Sequence, residues 1–482
     1  MGKLPYRRIG GLQTTEKFLE YLETLGVSLP VDEKILSAEE GSPMARPWLI
    51  GETTLANRWV IQAMEGWDGE KDGRPSEWVL NRWKKFGNSG AKIIWGGEAF
   101  AVQPDGRANP RQLCHDDAHA DTTYPLLFQT VTQAHQERLR QEGKNPDEPI
   151  LVGLQLTHSG RFSKAADNTN APRIACHHPL LDARVGISSD DSSCVVTDGE
   201  IRQMIENYVR VAKHAWQAGF HFADVKHCHG YFAHELLHAV RREGAYGGSL
   251  ENRMRFAKEI IDGIRTECPG MKIGVRLSLF DALPQEEGNA AAGTWGEVLK
   301  EEDYEIVRVF AEDLKIDMLN LTAGSPYYSV YIQRPSFTPA LEAVLMPDGK
   351  MRIPDNILPP EDPLLGCCRQ IHAARKIKER FPQLPMIGSA YTYFQEFLPQ
   401  VAQGVVRNGW IDGVGIGRMV LTYGDMVADS LAGRELDRRR ICRTFSDCTT
   451  APRNGMISGC YPLDAEYRIL PEAKALRTLK HP

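Results

Sequence analysis

One stretch of the sequence reads FADVKH (222–227), then ENRMRFAKEIIDGIRTE (251–267), then KIGVRLS (272–278). The first and last runs are short and apolar, as in buried strands, whereas the middle run has apolar residues at helical spacing. A strand, a helix and a second strand in this order predict a β-α-β unit, in which the two strands run parallel.

The same alternation extends over most of the chain. Six further β-like runs are WVIQAM (59–64), AKIIWGG (91–97), ILVGLQLT (150–157), DMLNLT (317–322), PMIGSA (385–390) and DGVGIG (412–417). Helical runs lie between and around them, at 76–90, 122–143, 197–220, 301–314, 362–381 and 394–409. Eight strand–helix units predict an α/β fold, a (β/α)8 TIM barrel, with an open doubly wound sheet as the alternative.

Four parts of the chain lie outside this repeat. Residues 1–45 form a polar, partly helical N-terminal extension, and residues 434–482 form a short tail with three cysteines. The barrel is therefore predicted to span 46–433. Loop insertions rich in Pro and Gly, at 280–300 and 325–360, each follow a strand, so we expect them to lie over the active face of the barrel.

Composition limits the function classes. The 482 residues carry a formal net charge of −6 and no block of Lys or Arg, which argues against a general nucleic-acid binder. No run of about 18 apolar residues predicts a membrane span, and the first residues lack the apolar core of a signal peptide. Ten cysteines without a secretory signal indicate thiols rather than a disulfide scaffold. We expect a cytoplasmic protein.

The carboxyl ends of barrel strands are where function is expected. Gln155 ends one strand with an amide that both donates and accepts hydrogen bonds. Arg276 ends another, where a buried cation is costly unless it meets an anion. Gly388, Gly417 and Arg418 follow the last two strands, at the usual phosphate position of a barrel. The alternatives are a loop-capping glutamine and a structural ion pair.

An ordered set of motifs resembles a known family. It consists of NRWVIQAM (57–64), GLQLTHSGR (153–161), KHCHGY (226–231), GGSLENRMRF (247–256), GVRLS (274–278) and GIGR (415–418). Together they resemble the old yellow enzyme, or NADH:flavin oxidoreductase, family over roughly residues 46–432. The resemblance implies an FMN-dependent oxidoreductase that takes hydride from NAD(P)H and passes it to an activated C=C bond or a related small organic substrate.

The resemblance also implies which residues hold FMN. Gln155 would bind the pyrimidine edge, Arg276 would lie near N1 and O2, and Arg418 would clamp the phosphate with the backbone of the two glycines. Negative charge gathers near N1 on reduction, so a fixed cation there stabilises the reduced flavin. The remaining flavin contacts implied by the family are Ala63, Met64, Glu65 and Ala99.

The family's catalytic pair is implied to fall in the KHCHGY segment. His229 takes the second position of a pair that holds the substrate carbonyl, and Tyr231 takes the position of the acid that protonates the α carbon. The first position is Lys226, where the family has histidine. His227 points to the other face of the strand by alternation and is expected to be structural.

Glu65 is a second departure from the family, which often has Cys or Thr there. Buried beside a flavin, Glu65 would either be protonated or lower the flavin potential. It could instead serve as a general base or pair with Lys226. Trp67 stands where many family members have Tyr. These differences concern the substrate reaction rather than flavin binding.

The tail cysteines resemble part of an iron–sulfur motif. Cys442, Cys448 and Cys460 follow the spacing found in the 2,4-dienoyl-CoA reductase and trimethylamine dehydrogenase branch, where four cysteines bind a [4Fe–4S] cluster. Phe445 stands at the second cysteine position. A cluster with a noncysteine ligand, a zinc site and a relic held by packing remain open. The branch's C-terminal nucleotide-binding domain is expected to be lacking, so NAD(P)H would stack on the flavin within the barrel.

Two rival functions remain at this point. One is an iron–sulfur flavoprotein dehydrogenase acting on an amine or acyl-CoA, and the other is a flavin-binding barrel without turnover. A metal-dependent barrel lyase is weaker, because the strand ends offer mainly Gln, Arg and Gly. The partner is expected to be a small-molecule substrate. The family resemblance implies self-association without fixing the number of subunits.

Overall fold

The computed structural model describes residues 6–281, 299–338, 341–345, 351–352 and 359–480. Its strands are β1 (Trp48–Ile50), β2 (Thr53–Leu55), β3 (Trp59–Gln62), β4 (Ile93–Trp95), β5 (Ala99–Ala101), β6 (Leu151–Thr157), β7 (Phe222–Val225), β8 (Lys272–Ser278), β9 (Met318–Thr322), β10 (Val344–Leu345), β11 (Met351–Arg352), β12 (Met386–Gly388) and β13 (Gly413–Ile416). Its α-helices are α1 (Thr15–Thr24), α2 (Glu77–Gly87), α3 (Ala120–Gln141), α4 (Pro179–Val185), α5 (Asp198–Gln217), α6 (Phe232–Leu237), α7 (Leu250–Glu267), α8 (Glu301–Arg308), α9 (Val330–Gln333), α10 (Pro363–Arg380), α11 (Leu398–Arg407), α12 (Met426–Leu431), α13 (Asp447–Arg453), α14 (Ala465–Arg468) and α15 (Pro471–Lys480).

Eight of these strands form one closed barrel, in the order β3, β4, β6, β7, β8, β9, β12 and β13. Every neighbouring pair is parallel, and β13 pairs with β3 through Val414↔Trp59 and Ile416↔Ile61, which closes the ring. The predicted (β/α)8 TIM barrel is confirmed, and the open doubly wound sheet is wrong. Each of the eight β-like runs contains one barrel strand.

The barrel interior is closed at its amino-terminal end by a hairpin that the sequence pattern does not predict. Strands β1 and β2 are antiparallel and precede β3 directly. Trp48, Ile50 and Leu55 from this hairpin form one apolar cluster with inward-facing barrel residues such as Trp95 and Phe222. The interior is therefore packed below the site, as in other barrels of this type, and only its carboxyl end is available for a ligand.

The helices match the predicted runs with small differences at their ends. Helix α5 begins with the expected cap, because Thr197 Oγ1 accepts from the Glu200 backbone N–H while Glu200 accepts from the Thr197 N–H. The run at 301–314 is α-helical only to Arg308 and continues as a wider π-type turn. The run at 394–409 starts its α-helix at Leu398, with Pro399 in the first turn, where its missing N–H costs nothing.

Both chain ends pack against the barrel. Phe18 of α1 stacks on Phe397 with ring centroids 4.5 Å apart. In the tail, Tyr467 contacts Trp78 of α2 at 5.1 Å, and its apolar cluster includes Tyr461. Of the two predicted insertions, residues 282–298 and most of 339–358 lie outside the described residues. No helix in the described part of the chain has the length and hydropathy needed to cross a membrane.

Gly87 of α2 predicts a steric test of the packing between α2 and α3. A Cβ on Gly87 would lie 2.2 Å from the Val131 carbonyl oxygen, so Gly87→Ala should lower the free energy of unfolding by about 1–3 kcal/mol. A Cβ on Gly199 of α5 would have its nearest neighbour at 3.9 Å, so Gly199→Ala should raise the free energy of unfolding by about 0.5 kcal/mol. Urea unfolding of both variants checks this, and equal effects would contradict the contact.

Candidate active site

A cavity opens at the carboxyl ends of the barrel strands and brings together most of the predicted site residues. Its lining includes Ala63, Met64, Glu65, Ala99, Gln155, Lys226, His229, Tyr231, Arg276, Arg418, Cys448 and Cys460. The lining does not include three other predicted residues, Gly388, Gly417 and Cys442. Gly417 is adjacent to it, since a Cβ there would lie 3.4 Å from Met64 Sδ.

The buried carboxylate of Asp224 positions the floor of the cavity. Its Oδ2 accepts from Trp95 Nε1 at 2.7 Å and from Gln155 Nε2 at 2.6 Å, and its Oδ1 accepts from the Arg276 backbone N–H at 2.8 Å. Burial raises the pKa of Asp224 to about 6, because its effect is larger than that of the hydrogen bonds, which lower the pKa. The contact fixes which end of the Gln155 amide is the NH2 group and leaves Oε1 available to a ligand.

Arg276 is a buried cation without a carboxylate in contact among the described residues. Its Nη1 donates to the Ala63 carbonyl at 3.4 Å, and its Nε has no partner. Burial lowers the pKa of Arg276. A guanidinium with an unpaired, buried N–H is costly unless a ligand accepts from it.

Lys226 and Tyr231 are in direct contact. The Lys226 ammonium lies 3.8 Å from the centroid of the Tyr231 ring, a cation–π arrangement. Burial lowers the pKa of Lys226, while the nearby Cys228 and Glu65 act to raise it. The Tyr231 hydroxyl lies 3.4 Å from that of Tyr327, and burial raises the pKa of Tyr231 well above its usual range.

His229 stands at a sharp turn with left-handed backbone, φ 65°. Its Nε2 lies 3.2 Å from Thr322 Oγ1. Burial, followed by the nearby cations Arg276 and Lys226, lowers the pKa of His229 well below its usual range, so the imidazole is neutral. His227 lies outside the cavity lining, with Nδ1 2.8 Å from the Val225 carbonyl oxygen.

Glu65 lines the same cavity as Lys226 and Tyr231. Burial raises the pKa of Glu65 to about 7, although the Lys226 cation lowers it. Oε1 accepts a hydrogen bond from Asn109 Nδ2 at 3.1 Å. Glu65 therefore changes its charge near neutral pH, within the electrostatic range of Lys226 and Tyr231.

Three further arginines reach the cavity, and we call Arg334, Arg418 and Arg453 the guanidinium cluster. Arg418 was expected from the strand ends. Arg334 follows α9 within an insertion and Arg453 ends α13 in the tail, so no strand or motif pattern marks either one. The sequence pattern does not predict Tyr327 either, since it lies in the same insertion as Arg334. Tyr327 and the guanidinium cluster all line the cavity.

A His-Glu-x-x-His sequence, also missed, lies over His234–His238. Ligand atoms of His234, His238 and Asp281 lie within 4.8 Å of one another, which is compatible with a metal. However, His234 Nδ1 accepts from the Gly230 N–H at 2.9 Å, so the ring's hydrogen is on Nε2, the atom that faces Asp281. The arrangement is that of a hydrogen-bonded support for the loop carrying His229.

The tail cysteines are close to the cavity but do not form a compact metal site. Among the described residues, the sulfurs of Cys442, Cys448 and Cys460 are not within 4.8 Å of one another, as a single zinc ion would require. Phe445, at the missing cysteine position, is 40% exposed. All ten cysteines are free thiols. Three thiols and an outward phenylalanine do not fit a four-thiolate cluster.

Comparisons with known proteins agree with this geometry. A family model described as the NADH:flavin oxidoreductase / NADH oxidase family matches residues 43–319, more than half of the chain. An NADPH dehydrogenase of Bacillus subtilis (strain 168) is 29% identical over 241 residues, which are 49% of this chain and 63% of that protein. The chain thus spans less than two thirds of the length of the curated relatives it matches.

Solved structures share the fold at lower identity. A 2-naphthoyl-CoA reductase in complex with 2-naphthoyl-CoA aligns with a TM-score of 0.64 at 20% identity, covering 88% of this chain and 57% of that chain. Morphinone reductase aligns with a TM-score of 0.54 at 18% identity, covering 82% of this chain and 91% of that chain. At these identities the likeness is one of architecture.

The Asp224 contacts predict a large effect of a nearly isosteric change. Asp224→Asn turns one acceptor into a donor that faces other donors, so it should lower the free energy of unfolding by about 2 kcal/mol or more. Asp313→Asn, on a carboxylate that is 52% exposed, is the control and should leave unfolding unchanged. Denaturant unfolding of both variants tests this, and equal stabilities would contradict the bridging role of Asp224.

Proposed function

We propose a function on the basis that the chain belongs to the NADH:flavin oxidoreductase / NADH oxidase family. The protein is an FMN-dependent NAD(P)H oxidoreductase, and it acts on an activated C=C bond of a small organic substrate. The observation that carries the proposal is the convergence of Gln155, Arg276 and Arg418 on one cavity at the carboxyl end of the barrel. That is the place where barrels bind phosphate-bearing ligands.

The residues present fit FMN. The Gln155 amide, oriented by Asp224, offers a donor and an acceptor to the pyrimidine edge. Arg276 Nε and Arg418 Nη1 are buried nitrogens without partners in the described structure, suited to the flavin N1–O2 side and to the phosphate. Small or flexible apolar residues, Ala63, Met64 and Ala99, leave room for a flat ring system. When bound, FMN supplies hydride transfer between NAD(P)H and a substrate carbon.

The protein residues orient the substrate and deliver a proton. Neutral His229 can donate a hydrogen bond to a substrate carbonyl, and the Thr322 hydroxyl beside its Nε2 holds the ring in place. Tyr231 is the proton donor to the carbon next to that carbonyl. The Lys226 ammonium over its ring stabilises the phenolate that remains. Lys226 thus supports Tyr231 rather than replacing the family's histidine.

Glu65 tunes this proton transfer through its charge. An ionised carboxylate near Tyr231 raises the pKa of the phenol and opposes release of the proton. Because the pKa of Glu65 is about 7, it is neutral and permissive below that pH and ionised above it. We infer that the substrate half-reaction is faster on the acidic side of pH 7.

We also propose a branch of the family and a cellular location for this protein. A position close to the 2,4-dienoyl-CoA reductase and trimethylamine dehydrogenase branch is supported by the spacing of the tail cysteines alone. The rival dehydrogenase needs a [4Fe–4S] cluster, for which the tail supplies three cysteines rather than four. A cytoplasmic location is supported by ten free cysteines. Self-association and the N-terminal, barrel and tail divisions stay predictions.

The proposed function is tested by absorption spectra of the FMN-loaded protein under anaerobic conditions. NADPH or NADH should bleach the flavin bands, and 2-cyclohexen-1-one should then restore them. Tyr231→Phe should keep the rate of bleaching and slow the restoration by roughly 100-fold or more, because only the second step needs the proton. Tyr304→Phe, on the outer helix α8, should change neither rate. A protein that takes up no FMN, or whose bound flavin neither nucleotide reduces, would overturn the proposal.

The role of Glu65 predicts a pH profile. In the wild type, the rate of flavin restoration by 2-cyclohexen-1-one should fall roughly three- to tenfold as pH rises through about 7. Glu65→Gln should hold the fast rate across this range, because its side chain stays neutral. Asp464→Asn, which removes a cavity-lining carboxylate already paired with Lys85, should keep the fall. Stopped-flow traces recorded from pH 5.5 to 9 measure this rate for each variant. If the rate in Glu65→Gln falls with pH as in the wild type, Glu65 is not the group that causes the pH dependence.

A further inference from the structure

The guanidinium cluster has more positive charge than its surroundings neutralise. Each of its arginines donates to a neutral oxygen: Arg418 to the Pro335 carbonyl at 2.7 Å, Arg453 to the Pro326 carbonyl at 3.0 Å, and Arg334 to the Thr449 hydroxyl. Within the described residues, no carboxylate lies within 4 Å of any of the three. Arg82 and Lys85, which line the same cavity, each pair with two carboxylates.

Several nitrogens of the cluster are buried and unpaired. They are Arg418 Nη1, Arg453 Nε, and both Nε and Nη2 of Arg334. Burial and the adjacent cations Arg418 and Arg453 lower the pKa of Arg334 to about 9, which expresses the repulsion within the cluster. Unpaired buried donors on like charges are stable only where anions complete the site.

One phosphate does not balance the cluster. A phosphate monoester carries about −1.5 to −2 charges near neutral pH, against three guanidinium groups. The FMN phosphate expected at Arg418 therefore leaves about one positive charge. A second anionic group, brought by another ligand, would neutralise it.

Arg453 is the member placed to meet that second ligand. Its partner Pro326 precedes Tyr327, whose hydroxyl lies 3.4 Å from that of Tyr231. Arg453 also lines a neighbouring groove, whose other charged lining consists of Lys164, Arg184 and one exposed carboxylate, Glu342. In the described structure neither Lys164 nor Arg184 pairs with a carboxylate. Three cations against one carboxylate leave this groove with an excess of positive charge.

We propose that Arg453 binds an anionic group, a carboxylate or a phosphate, on the ligand that shares the cavity with the flavin. This proposal rests on the proposed function. If the anionic group belongs to the substrate, the substrates are anionic activated alkenes. If it belongs to the pyridine nucleotide, Arg453 binds the nucleotide phosphates. Both sources share the same chemistry, charge-assisted hydrogen bonds from a guanidinium.

The test is a titration of the oxidised, FMN-loaded protein, followed by the absorption change of the flavin. The probes are 2-cyclohexen-1-one, its charged analogue 3-oxocyclohex-1-ene-1-carboxylate, and NADP+. Arg453→Gln should weaken binding of the carboxylate or of NADP+ by roughly tenfold or more, with the neutral enone unchanged. Arg453→Lys should restore part of the loss. Arg468→Gln, on an exposed tail arginine outside the cavity, should change none of them.

The outcomes separate the sources and the alternatives. A loss confined to the carboxylate assigns Arg453 to the substrate, and a loss confined to NADP+ assigns it to the nucleotide. If all probes bind as in the wild type, or if FMN binding weakens while riboflavin binding does not, the proposal is overturned. If Arg453→Gln does not fold, the wild type is tested instead. Its affinity for the carboxylate or for NADP+ should then be about fivefold or more weaker in 0.5 M KCl than at low salt. No turnover is needed, so failure of nucleotides to reduce the flavin would count against the proposed function only.

Discussion

The carboxylate of Asp224 is the contact on which the arrangement of the cavity depends. It accepts hydrogen bonds from Trp95, Gln155 and the Arg276 backbone, and these residues with Asp224 itself belong to four strands, β4, β6, β7 and β8. Burying a carboxylate is costly unless donors surround it, and here three do. Since barrel closure brings all strand carboxyl ends to one rim, joining these strands also fixes the side chains that leave them.

Charge is distributed unevenly around that rim. Arg82 is neutralised by Asp68 and Glu98, and it ties α2 to the loops near the tail. Arg276 and the guanidinium cluster, in contrast, have no carboxylate in contact within the described residues. The chain as a whole carries a net charge of −6, so this local excess of positive charge is a property of the fold and not of the composition. Cations held without counterions form a preorganised anion site, since little reorganisation is needed when the ligand arrives.

The sequence predicts the parts of this site that follow regular patterns. Alternating strands and helices identify the strand ends, which is why the amino-acid pattern alone places Gln155 and Arg276 at the cavity. It does not place Arg334 and Arg453, because they come from an insertion and from the tail, where neither period nor motif constrains their position. The unusual pKa of Glu65 is predictable only in part. Its place at the carboxyl end of a strand follows from the sequence pattern, but its burial and its proximity to Lys226 depend on how distant segments pack.

Lys226 and Glu65 are best understood together, because the charge of each affects the pKa of the other. The Lys226 ammonium lies over the ring of Tyr231, where its charge favours the phenolate. Alone, such a charge in a low-dielectric cavity that also contains Arg276 would be repelled and poorly solvated. A carboxyl group that ionises near neutral pH supplies the opposing charge and, through it, a dependence on pH. The proton affinity of Tyr231 is then set by two neighbours that act in opposite directions, and the charge of one of them, Glu65, changes near neutral pH.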